Sequence, residues 1–96
     1  MNYSTAETGV GEILRLIRIS QDLSISELSK KTKISKSYIT EIEKGVKMPS
    51  EKTLKNYSNG LNISENTLDY LIRNYSHKHL PYQKLLIIIL KKIVNG

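Results

Sequence analysis

The residue types best placed to do chemistry lie in one run, Ser35-Lys36-Ser37-Tyr38-Ile39-Thr40-Glu41-Ile42-Glu43-Lys44. Hydroxyls, ammonium groups and carboxylates are interleaved there with two isoleucines three positions apart. On a helix, Ile39 and Ile42 point inward and Lys36, Ser37, Thr40, Glu41 and Lys44 point out. Such an edge donates and accepts hydrogen bonds but carries no means of breaking a covalent bond. Cys is absent, which excludes thiolate catalysis, disulfides and Cys-ligated zinc. His77 and His79 stand two apart with no third ligand nearby, so a metal site is not expected. No serine is activated by a His/Asp pair, and no glycine-rich phosphate loop occurs. We therefore expect no enzyme, assign no catalytic residue and expect neither cofactor nor metal.

Charge points to an anionic partner. The 96 residues carry 15 Lys and Arg against 9 acids, a net charge of +6. An AT-rich genome produces part of such a Lys, Ile and Asn surplus, so local charge is the better guide. Residues 26–60 hold eight Lys against four Glu, which places a basic surplus around the polar run. The first residues lack the basic patch and apolar stretch of a signal peptide. The longest apolar run, Leu85 to Leu90, is far short of the roughly 20 residues that a membrane span requires. The expectation is a cytoplasmic protein of one domain.

The elements that position the run follow from caps and periodicity. Ile13, Leu14, Leu16 and Ile17 line one face of a first helix, about 9–21, behind a polar, frayed start at 1–8. Ser24-Ile25-Ser26-Glu27 is a capping box opening a second helix to about residue 32, with Ile25 and Leu28 inward. Ser35 caps a third, about 36–44, which Gly45 stops. Ser50 caps a fourth, about 51–60, with Leu54 and Tyr57 inward and Gly60 as its end. Ser64 caps a fifth, about 65–74, with Leu68, Leu71 and Ile72 inward. After a connector at 77–80, Pro81 suits the first position of a last helix, about 81–94. No strand finds a partner.

Two short helices, a tight turn and a third basic stretch make a helix-turn-helix. With Leu28-Ser29-Lys30-Lys31-Thr32-Lys33-Ile34-Ser35-Lys36-Ser37-Tyr38-Ile39-Thr40-Glu41-Ile42-Glu43-Lys44-Gly45 and the trailing Leu61-Asn62-Ile63-Ser64, residues 12–64 resemble the XRE-type, or phage-repressor, family of lambda repressor and Cro. The resemblance implies an all-α, five-helix repressor-like bundle over 1–75, its helix-turn-helix at about 25–44, with an added C-terminal apolar helix at 76–96. It implies double-stranded DNA as partner, with the third helix in the major groove and its first residues, Ser35, Lys36, Ser37 and Tyr38, at base edges. Thr40 and Glu41 follow one turn later. By their donors and acceptors, Lys36 suits guanine, Ser37 either role and Glu41 cytosine N4, while Tyr38 suits sugar, phosphate or a thymine methyl. Ser24 and Ser26 at the second helix start are expected to meet phosphate through backbone N–H groups, and Lys44 and Lys47 from the far side. The family also pairs a first-helix arginine with a glutamate ending the third helix, here Arg18 and Glu43. Two positions depart from the pattern: Ile25 stands where many members have Gln, and Lys33 where the turn usually has Gly.

The last helix is apolar nearly all round. A small domain cannot cover every side of it, so Leu85, Leu86, Ile88, Ile89 and Ile93 are expected to supply a homodimer contact as well as core packing. The leading expectation is a homodimeric repressor on a palindromic operator. Alternatives are a restriction–modification controller protein, a toxin–antitoxin antitoxin, or an adaptor whose last helix binds a protein partner.

Overall fold

Serine hydroxyls set four helix starts. Ser24, Ser35, Ser50 and Ser64 each hold extended backbone and accept the N–H of the residue three further on, Glu27, Tyr38, Thr53 and Thr67. Each hydroxyl satisfies a donor that the first helical turn would otherwise leave orphaned. The computed structural model describes residues 9–76 and 81–95. Its elements are α1 (Val10–Ser20), α2 (Ile25–Thr32), α3 (Lys36–Glu43), α4 (Glu51–Leu61), α5 (Glu65–Tyr75) and α6 (Tyr82–Asn95). No strand occurs among the described residues, so the all-helical expectation holds. Residues 1–8 and the 77–80 connector, with His77 and His79, lie outside them.

The inward faces close on one aliphatic core. α1 is the central element and packs against α3, α5 and α6, while α2 lies between α3 and α4. Leu14, Leu28, Ile39, Leu54, Leu71 and Ile89 bring one fully buried side chain from each helix. Burying a Leu or Ile side chain stabilises by about 1.5–3 kcal/mol, so the short α2 and α3 depend on this shared core more than on their own propensity. No described helix is long and apolar enough to cross a membrane.

Two helix limits differ from expectation. α4 runs through Gly60 to Leu61, and Asn62 in left-handed conformation (φ 57°) ends it. Gly60 serves packing instead: a Cβ there would lie 2.5 Å from Thr32 Cγ2 and 3.0 Å from the Lys31 carbonyl carbon, so only glycine lets α4 approach α2 this closely. Pro81 precedes α6 rather than opening it, and its carbonyl accepts the Leu85 N–H at 3.0 Å.

Candidate nucleic-acid interface

α3 is held from both ends. Before it, Lys33 takes the left-handed conformation (φ 62°) that the family's glycine would supply, and its N–H bonds Ser29 O at 2.8 Å. Ser29 Oγ donates to Ile34 O at 2.6 Å, and Thr32 Oγ1 donates to Leu28 O at 2.8 Å while accepting Ile34 N–H at 3.3 Å. These side chains fix the turn around a non-glycine residue. After it, Gly45 (φ 78°) donates to Ile42 O at 3.0 Å and Val46 N–H to Glu41 O at 2.9 Å, a Schellman closure of α3.

Arg18 locks α3 to α1. Its Nε and Nη2 donate to Glu43 Oε2 and Oε1 at 2.8 and 2.9 Å, and its Nη1 to Leu23 O at 2.8 Å. The two side chains are only 13% and 6% exposed, so this is a bidentate pair largely out of water. The Glu43 hydrogen bond holds the Arg18 pKa above its ordinary value against the opposing effect of burial. Behind the pair, Tyr57 is fully buried and its hydroxyl has no hydrogen-bond partner among the described residues.

With the inner face anchored by Ile39 and Ile42, the outer edge of α3 is polar. Lys36, Ser37 and Lys44 are exposed, and Thr40 and Glu41 are half-buried. Ser35 is exposed, but its hydroxyl is committed to the Tyr38 N–H at 3.2 Å. Tyr38 is half-buried against the core, so its ring supports the helix as well as edging the surface. Lys47 Nζ lies 3.5 Å from Glu41 Oε1, which joins an expected phosphate contact to an expected base contact. Val46, 68% exposed beside them, is an apolar residue on this rim that sequence periodicity could not single out.

A family model described as helix-turn-helix matches residues 14–68, more than half of the chain. The chain belongs to this XRE-type helix-turn-helix family. Among curated proteins, it is similar to the "Transcriptional regulator ClgR" of two Mycobacterium tuberculosis strains, CDC 1551 / Oshkosh and ATCC 25618 / H37Rv. Both match with 42% identity over 45 residues, 47% of this chain and 40% of theirs. The chain thus aligns with less than half of either relative. No solved structure matches.

The other expected positions of this helix-turn-helix divide. Ser24 and Ser26 are exposed at the start of α2, but the capping box occupies Ser24: its N–H donates to Glu27 Oε1 at 2.9 Å. Two bonds, first this backbone N–H and then the Ser24 hydroxyl, hold the Glu27 carboxyl below its ordinary pKa, so a carboxylate sits where phosphate was expected. The pattern Ser24-x-x-Glu27 carried that signal, since its acid satisfies the same donors that a phosphate would use. Ile25, the departure from Gln, packs half-buried on the core. On α6, Leu85 and Ile89 are buried in the chain's own core, while Leu86, Ile88 and Ile93 are half-buried.

Proposed function

We propose that this chain is a DNA-binding transcriptional regulator that sets α3 in the major groove. In its full form the reading is a homodimeric repressor, with one α3 in each half-site of a palindromic operator. The observation that carries it is the exposed edge of Lys36, Ser37 and Lys44 on a helix pinned by the Arg18–Glu43 pair. A groove-reading helix must protrude and yet be held rigidly, and this one does both. Lys36 donates to guanine O6 and N7, Ser37 to a neighbouring base, and Lys44 to phosphate. Glu41 and Thr40 border the read bases, and Lys47 and Ser26 meet the backbone, while Ser24 stays committed to its capping box. The curated relatives' description as a transcriptional regulator supports the same reading.

Selection from random duplexes tests it. The expected product is a two-fold symmetric sequence whose half-sites lie about 34 Å apart. Lys36→Ala combined with Ser37→Ala should lose that sequence while circular dichroism stays unchanged. A reporter downstream of the selected site should fall when the chain is expressed. Failure to select any sequence, or selection of the same one by the double variant, overturns the assignment of α3.

A further inference from the structure

α6 turns a second face outward, and its chemistry is one-sided. Gln83, Ile87, Leu90 and Val94 recur at spacings of four, three and four, which on a helix confines them to an arc of about 60°. Ile87, Leu90 and Val94 are 52%, 39% and 80% exposed, directly opposite the buried Leu85 and Ile89. Lys84 and Lys91, seven residues apart and both exposed, border one flank of this stripe, while Leu86 and Ile93 border the other. Lys92 turns elsewhere, 4.5 Å from the centre of the Tyr70 ring. No acidic residue occurs anywhere in α6.

We infer that this stripe is a docking surface for an acidic amphipathic helix of another protein. Charge decides against a second copy. Antiparallel pairing of two α6 stripes would set Lys84 and Lys91 of one copy against Lys91 and Lys84 of the other, four ammonium groups along one flank with no carboxylate on either helix. Parallel pairing would lay the same ammonium groups over Leu86 and Ile93, again without a counter-charge. A partner with an apolar seam and two carboxylates seven residues apart covers Ile87, Leu90 and Val94 and neutralises both lysines. α6 packs on α1 and α5, whereas α3 packs on α1 and α2, so the inference stands independently of DNA reading, and any homodimer on DNA is formed by other contacts.

A displayed library of three-heptad helices, with leucine fixed at the seam and flanks drawn from Glu, Gln and Lys, tests the surface on the whole chain. Glu should be enriched at two flank positions seven apart. The Lys84→Glu, Lys91→Glu variant should reverse the preference to Lys and weaken a selected acidic helix about tenfold or more. Leu90→Asp should abolish capture. Because all three positions are exposed, unchanged thermal melts should confirm folding, and intact DNA selection by Leu90→Asp separates this surface from α3. Flanks without Glu enrichment, capture that survives Leu90→Asp, or a dimer in sedimentation that Leu90→Asp converts to monomer would each overturn the inference.

Discussion

Two buried polar features at the foot of α3 act in opposite directions. The Arg18–Glu43 pair is bidentate and largely out of water, so removing one partner strands a charge that is mostly buried. Glu43→Ala should lower the unfolding free energy by about 3–5 kcal/mol in urea titrations. Tyr57 is the reverse case. Burial, and then the negative charge of Glu43, pushes its phenol pKa well above the usual range, and its hydroxyl is without a hydrogen-bond partner among the described residues. An unsatisfied buried hydroxyl costs about 1–3 kcal/mol, so Tyr57→Phe should leave the fold intact and raise the urea midpoint by the equivalent of about 1 kcal/mol. A midpoint that falls would mean that the hydroxyl has a partner. The ion pair was legible through the family pattern. The orphan hydroxyl was not: periodicity places Tyr57 inward but says nothing about which acceptors lie near its tip.

At the scale of elements, local signals were legible and approach distances were not. The four serine caps and the apolar spacing of α1 to α5 depend on residues within a turn of each other, and the helices form where those signals put them. Gly60 and Leu85 depend on what another helix brings close, which no local window contains. The same contrast gives two substitutions of opposite sign. Lys33→Gly relieves a left-handed non-glycine residue, worth about 1–2 kcal/mol, but adds unfolded-state freedom worth about 0.4–1 kcal/mol, so a net gain of up to about 1.6 kcal/mol should appear in thermal melts. Gly11→Ala should destabilise by at least about 1–3 kcal/mol, because its Cβ would stand 2.0 Å from Ile42 O on α3. It should weaken DNA binding by more than it weakens folding, since α1 would push α3, the proposed reading helix, off its seat. Equal losses in both would place the damage in the core alone.

For the whole molecule the governing quantity is charge, and salt is its probe. A net +6 with the surplus concentrated in residues 26–60 draws the chain to a polyanion at long range, but only cations that meet phosphate release counterions. Lys44 is exposed at the end of α3, so Lys44→Gln should reduce the slope of log affinity against log salt by about 0.9 and weaken binding alike on selected and random duplexes. Lys47 begins differently, 3.5 Å from Glu41 on an exposed rim. An exposed pair of this kind contributes at most about 1 kcal/mol, less than a phosphate contact gains, so Lys47 should leave Glu41 when DNA arrives. Lys47→Gln should then lower the slope by about the same 0.9, whereas Glu41→Gln should keep the slope and raise affinity, because the lysine no longer has to be released. Fluorescence anisotropy across a salt series distinguishes these outcomes. A slope unmoved by Lys47→Gln would mean that the ion pair persists on DNA, leaving Lys44 to anchor this side of α3.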